Sequence, residues 1–334
     1  MKDHGEETAA VRGHRDPVTQ TTIASWSGRE VSYRGYNVTD LVRDSTFTEV
    51  AYLLLYGELP CEVFLADFRA VLCEASSEEE WADDSGWLGE CLERLPLHVP
   101  LLQSMLTGIS GLAHCDPQPT DHSLAADRAR AIRLVGRLPV LLAARLAVVD
   151  GTPRSLPDDE RSYPAQLATL ITGHVPSPLL EKAIDVLLMC SIDVEFSPPV
   201  QAARLAAAVG GDMYSAVLAA ISVETTAQRV CLAEELVNLW ESRVWVGDAE
   251  GWVLERLESG RGCPGALFGG SAIDDSRRGV LAAWAEHLAA ESADGVKVAR
   301  DDAAAELESA IIACGGTPAW DWAAVRLLAA AGVA

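Results

Sequence analysis

The sequence predicts an all-α fold with one short β-hairpin near its start. Helix start and stop signals recur along most of the chain. Alanine and leucine are abundant while aromatic residues make up only 6%, a composition that suits closely packed helices. Short alternating segments occur only near the N-terminus.

The elements follow in order. Thr22-Ile23-Ala24-Ser25-Trp26 and Arg29-Glu30-Val31-Ser32-Tyr33 flank Ser27-Gly28, a pair with turn character, so a hairpin is expected there. Thr46 and Glu49 have the T-x-x-E spacing of a capping box ahead of VAYLLLY, and Gly57 followed by Pro60 ends that helix. RAIRLVGRLPVLLAARLAVV reads as a long amphipathic helix with one internal proline. Ser197 and Pro198 are placed as N-cap and first helical residue before VQAARLAAAVGG, and Asp212 restarts a helix at MYSAVLAAI. The polar stretches 75–86 and 149–164 are expected to be solvated loops, since their acidic runs lack the spacing of an EF-hand.

Charge and cysteine usage exclude several functions. Asp and Glu number 49 against 26 Lys and Arg, a formal charge of −23, and phosphate neutralisation needs the opposite sign, so nucleic acid is not an expected partner. The eight cysteines form no C-x-x-C pair and fall mostly in apolar or helical stretches. That pattern predicts core usage in a reducing compartment, with no disulfide framework and no metal site. Residues 1–19 lack an apolar leader and are expected to form a loose arm, and no uncharged apolar run is long enough to span a bilayer. A cytoplasmic protein without membrane contact is expected.

The segment VSYRGYNVTDLVRDSTFTEVAYLLLYGELP at 31–60 resembles the citrate synthase family, whose early R-G-Y stretch and STF-E-VAYLLLYGELP helix it reproduces almost verbatim. Five further segments match in order: LPLHVPLLQSMLTGISGL, RAIRLVGRLPVLLAARLAVVDG, SYPAQLATLITGHVPSP, GGDMYSAVLAAIS and PAWDWAAVRLLAAAGVA. The resemblance covers 20–334 and implies a helical homodimer subunit. It divides the chain into a large domain at 20–221 and a small domain at 222–334, with the active site in the cleft between them. It also implies chemistry: a carboxylate base, histidines on an enolate and a ketone oxygen, and arginines that clamp substrate carboxylates.

Those site positions are largely replaced here. Where the family has H-A-D-H-E-L-N, this chain has Ser191-Ile192-Asp193-Val194-Glu195-Phe196-Ser197, so Val194 stands for a histidine and Ser197 for the asparagine. The G-P-L-H-G-G segment falls on Thr226-Ala227-Gln228-Arg229-Val230-Cys231, which puts Arg229 at a histidine position; an arginine binds anions but does not exchange a proton near neutral pH. In PGALFGGSAIDDSRR, Phe268 takes the place of the ketone-binding histidine, while Gly269 and Ala272 replace an arginine and a lysine. Asp275 and Arg277 survive, the latter matching an arginine that binds a substrate carboxylate in the family. PAWDWAA places Asp321 at the position of the catalytic carboxylate. The family sequence then continues through a further helix and a C-terminal arm, which the present sequence does not contain.

Each survivor also has a plainer explanation. Asp321 precedes WAAVRLLAAAG and would serve as a helix N-cap; Arg277 and Arg229 would serve as surface charges; His114, His174 and His287 match no family site position. The glycines of 264–278 spell neither a P-loop nor a dinucleotide fingerprint. No cofactor is expected, and a coenzyme A thioester enters only as a substrate candidate, disfavoured by the lost basic residues.

Two functions remain, neither of them citrate synthesis, because losing several transition-state donors together is costly. One is a repurposed enzyme acting on an acyl thioester or a carboxylated metabolite, with Asp321 as acid or base and Arg277 and Arg229 holding an anionic group in a pocket shaped by Val194, Ser197 and Phe268. The other is a catalytically silent subunit that pairs with an intact citrate synthase-like chain. The sequence slightly favours the enzyme.

Overall fold

The computed structural model describes residues 21–77, 87–152, 161–192, 197–225, 231–268 and 275–333. The chain enters through a three-stranded antiparallel meander, β1 (Ala24–Ser27), β2 (Glu30–Tyr33) and β3 (Tyr36–Asn37), with Trp26 opposite Val31 and Tyr33 opposite Tyr36. The expected hairpin is β1–β2, turned at Gly28 with its φ of 63°; β3 is an addition that two residues are too few to announce.

Helices then follow in a nearly unbroken series. The first are α1 (Val38–Asp44), α2 (Phe47–Tyr56), α3 (Glu62–Ser76), α4 (87–93) and α5 (Leu101–His114). The long α6 (Leu124–Asp150) precedes α7 (Tyr163–Thr172), α8 (Pro178–Ser191), α9 (Pro198–Ala208) and α10 (Met213–Glu224). The last are α11 (Leu232–Ser242), α12 (Ala249–Glu258), α13 (Ser276–Glu291), α14 (Gly295–Ala313) and α15 (Trp320–Ala331), with a two-stranded ladder of β4 (Ala266–Phe268) and β5 (Gly316–Pro318) inserted among them.

Local chemistry sets many of the helix ends. Thr46 and Glu49 form the capping box reciprocally: Glu49 Oε2 accepts from the Thr46 amide at 2.8 Å, and Thr46 Oγ1 accepts from the Glu49 amide at 3.4 Å. Gly57 closes α2 in the left-handed region at φ 96°. Asp212 caps α10, accepting from the Ser215 amide at 2.7 Å. Ser197 occupies the N-cap of α9 without a side-chain cap bond. α6 runs for 27 residues through Pro139. It packs against α3 so closely that a Cβ on Gly136 would lie 2.8 Å from that of Ala75.

The amphipathic reading of α6 underestimates its arginines. Arg130, Arg137 and Arg145 are all buried; Arg130 binds Asp116 and the carbonyls of Gln118 and Asp121 just ahead of the helix, whereas Arg137 and Arg145 bind carbonyls of segments distant in sequence. Arg145 donates to the carbonyls of Leu92, Leu95 and Pro96 at 3.2, 3.0 and 2.6 Å, satisfying the end of α4 and the turn after it. Arg137 donates to Ala75 O at 3.0 Å at the end of α3, and Arg128 donates to Leu55 O at 3.0 Å at the end of α2. One helix thus supplies cationic donors to the carbonyl-rich ends of three others, where a positive charge also complements the helix dipole.

Apolar burial is organised in four clusters. One combines Val31, Tyr33, Leu41, Val50 and Leu53 with Val186 and Met189 of α8, Leu281 and Ala285 of α13, and Ala323 and Leu327 of α15. A second gathers α11, α12 and α14 around Trp322, Val325 and Ala329 of α15, with Trp240 and Trp322 in edge contact at 5.2 Å. α13 and α15 contribute to the same core as residues 24–53. The other clusters lie between α4, α5, α6 and α10, and between α3 and α6.

α15 is therefore buried on both flanks. Its Arg326 is paired with Asp301 at 2.6 and 2.9 Å and reaches Glu286 and Glu308 at 3.3 and 3.4 Å. Burial pushes the Glu308 carboxyl upward against the pull of Arg326 and Arg278.

The core reading of the cysteines holds for Cys190 and Cys263 and is corrected elsewhere. All eight are free thiols, Cys61 and Cys231 are exposed, and the rest are half-buried. Among the described residues no helix is long and apolar enough to cross a membrane.

Replacing Arg145 with methionine keeps the stem and removes the donors from three carbonyls, one of them on the fully buried Leu92. Each unsatisfied group costs about 1–3 kcal/mol, so Arg145→Met is expected to lower stability by at least about 2 kcal/mol in urea denaturation. A midpoint unchanged from wild type would contradict the assigned role.

Candidate active site

The β4–β5 ladder organises the region that carries the sequence candidates. Ala266 pairs with Pro318, Leu267 with Thr317 and Phe268 with Gly316, and the Ala319 amide donates to Gly265 O at 2.8 Å. This pairing sets the strand bearing Phe268 beside the strand that leads directly into α15 and Asp321. Gly265 permits the approach: its φ is 65°, and a Cβ there would press on Leu236 and Trp322 at 3.3 Å.

Phe268 does not stand alone at a pocket wall. A Cβ on Gly316 would lie 2.5 Å from Phe268 Cε1 and 2.8 Å from Ile311 Cγ2, so the phenyl ring lies against the bare backbone of its cross-strand partner. The ring is half-buried and packs against the cluster around Trp322. An aromatic covering a glycine across a ladder is a stabilising pair in its own right.

Asp321 is half-buried in the first turn of α15. The N-cap is Ala319, and no side chain caps the helix, so the plain capping explanation of Asp321 is corrected: its carboxylate sits two positions beyond the cap. A negative charge there still complements the helix N-terminus.

Arg277 is the most heavily engaged of the candidates. It lies in the first turn of α13 with a side-chain exposure of 0%. Asp275, the N-cap, accepts from the Arg277 amide at 3.0 Å, from Nε at 3.1 Å and from Nη2 at 2.7 Å. Nη1 donates to the Tyr33 hydroxyl at 3.0 Å and to the Cys190 carbonyl at 3.1 Å, and the guanidinium lies 5.2 Å from the centre of the Trp26 ring. Burial opposes the charge, but the hydrogen bonds and attraction of Asp275 and Tyr33 outweigh it and hold the guanidinium above its ordinary range. The surface-charge explanation of Arg277 is thereby overturned. Burial meanwhile pushes the adjoining Cys190 thiol up to about 12, so it is neutral and unreactive near neutral pH.

Ser197 is half-buried at the start of α9, its carbonyl accepting from the Gln201 amide at 2.9 Å. Val194 and Arg229 lie outside the described residues, as do Gly269 and Ala272. The ladder pairs the strand bearing Phe268 with the strand that leads into α15, with Phe268 at the end of the ladder away from that helix, while Arg277 is fixed against the N-terminal meander and α8. No group of three or more His, Cys, Asp or Glu side chains able to hold a metal occurs among the described residues. The ladder itself escaped sequence reading; its signal was the pairing of Pro264-Gly265 with Gly315-Gly316, too brief to show a period of two.

The fold and these positions define a citrate synthase-type chain. The profile of the family described as citrate synthase, C-terminal domain, matches residues 14–334, and the chain belongs to that family. It is similar to the 2-methylcitrate synthase of Shewanella oneidensis, with 30% identity over 289 residues, covering 86% of this chain and 74% of that protein. It is similar also to the citrate/2-methylcitrate synthase of Bacillus subtilis, with 32% identity over 204 residues, covering 61% of this chain and 53% of the relative. Among solved structures, citrate synthase from Pyrobaculum aerophilum superposes with a TM-score of 0.83 at 20% identity, covering 94% of this chain and 80% of that one. The Thermoplasma acidophilum enzyme, solved with carboxymethyl coenzyme A and oxaloacetate, gives a TM-score of 0.75 at 18% identity, covering 94% of this chain and 87% of that one. These likenesses establish the fold.

Removing one partner from a buried ion pair costs about 3–5 kcal/mol, so Arg277→Met is expected to lower stability by that amount, about 3–5 kcal/mol, with part of the loss recovered when Asp275→Asn is added. Urea unfolding followed by tryptophan fluorescence checks this. A fully stable Arg277→Met protein would mean that the guanidinium does not hold the fold together.

Proposed function

We propose that this chain does not condense oxaloacetate with an acyl thioester and that it acts as a non-catalytic family subunit, pairing with a second citrate synthase-like chain that it stabilises or regulates. The enclosure of Arg277 carries this reading. A carboxylate clamp needs guanidinium N–H groups facing open space, whereas here Asp275, Tyr33 and the Cys190 carbonyl receive them and Trp26 covers one face.

The side chains at the family's histidine positions support the same conclusion. Phe268 and Val194 have no donor for a ketone or enolate oxygen, and Arg229 has no exchangeable proton near neutral pH. Phe268 is moreover occupied in covering Gly316.

α9 supports the pairing. It buries none of its residues and packs on α10, leaving Leu205 60% exposed and Val209, at its C-cap, 79% exposed. An apolar flank of this kind on a helix is the usual mark of an interface. A second copy of this chain or an intact family enzyme would cover it.

A second reading rests on Asp321. Its carboxylate lies in the first turn of α15 without serving as the cap, and it would act as acid or base on an acyl thioester or a carboxylated metabolite, with Arg229 rather than Arg277 as the anion partner.

Co-expression with an intact citrate synthase-like chain, followed by native mass measurement and a citrate-forming assay, tests the first reading. A mixed dimer with altered partner rate or heat stability is expected, and Val209→Glu should weaken pairing by about tenfold or more, the cost of burying an unpaired charge. Exclusive homodimers with the partner's activity unchanged would sink it. Turnover of any acyl thioester by the purified chain, lost in Asp321→Asn, would establish the second reading instead.

A further inference from the structure

A cavity of about 540 Å³ opens where the N-terminal ends of α2, α7 and α8 meet the side of α3. It shares no lining residue with the region of Arg277, Phe268 and Asp321. Its size falls within the range of about 300–1,000 Å³ usual for small-molecule sites.

The charge of the lining runs against that of the chain. The protein carries −23 overall, yet Arg69, Arg161 and Lys182 face this cavity together with only two carboxylates, Glu181 and Asp185. Both carboxylates are engaged in holding the walls together. Asp185 is buried and accepts from the Phe47 amide at 2.7 Å and from Lys182 at 2.8 Å, which fastens α8 to the start of α2. Glu181 accepts from the Ser162 hydroxyl at 2.6 Å, which fastens α8 to the start of α7. Lys182 also reaches Ser45 O at 3.3 Å. Arg69 is different: exposed on α3, it makes no hydrogen bond or ion pair among the described residues. Leu72, Cys73 and Pro164 add an apolar strip beside these groups.

We infer that this cavity binds the phosphate group of a small phosphorylated molecule. A guanidinium offers paired N–H donors that match phosphate oxygens, and two of them lie on one wall system with a lysine. A single carboxylate would compete poorly, because the protein's own carboxylates already occupy the ends of α2 and α7, whereas a doubly charged phosphate answers Arg69 and Arg161 together.

Isothermal titration of the full chain with inorganic pyrophosphate and, separately, with ribose 5-phosphate tests the inference and distinguishes a free from an organic phosphate. Saturable binding of one molecule per chain is expected with at least one of the two, weakened tenfold or more in Arg69→Glu and several-fold in the milder Arg69→Gln. Both variants alter an exposed side chain, and their circular dichroism should match the wild type. No saturable heat with either probe, or binding that both variants leave unchanged, would overturn it. Neither result bears on pairing through α9 or on the fate of oxaloacetate.

Discussion

The guanidinium of Arg277 joins parts of the chain that lie far apart in sequence. It holds Asp275 at the start of α13, the Tyr33 hydroxyl on β2, the last-turn carbonyl of Cys190 on α8 and the face of Trp26 on β1. A charge with no exposed surface is tolerated only when its donors are met, and the resulting network fixes where the meander and α8 stand against α13. α15 packs against α13 in the same core, so the position of Asp321 follows at one remove.

That constraint gives Arg277 a structural role at the position the resemblance assigns to substrate binding. Asp275 and Arg277 match the family in sequence, and Arg277 matches an arginine that binds a substrate carboxylate there, but its donors go to Asp275, Tyr33 and the Cys190 carbonyl. Phe268 shows the same tendency in the ladder: a side chain at a histidine's position is drawn onto a glycine and into the core around Trp322. The scaffold meanwhile leaves α9 with an apolar flank toward solvent. The kept fold, the enclosed Arg277 guanidinium and the exposed apolar residues at α9 are the observations on which the proposed subunit role rests.

Much of the fold was legible because caps are local. Thr46 and Glu49, Gly57, Asp212 and Ser197 all stand within four residues of the helix ends they mark. The burial of Arg137 and Arg145 was not legible, because their partners are carbonyls on other elements: nothing in the sequence near Arg145 points to Leu92 or Pro96. The β4–β5 ladder was missed because three-residue strands are too short to establish a period. In the candidate site, Asp321 was located by its motif, though its distance from the cap depended on Ala319 taking that role. The burial of Arg277 required Tyr33, 244 residues away, to be brought beside it.

Calorimetric titration of the purified chain with oxaloacetate addresses the central claim most directly. If the Arg277 donors are committed to Asp275, Tyr33 and Cys190, no saturable heat is expected. Stoichiometric binding, with Arg277 shown in contact with the bound dicarboxylate, would contradict it.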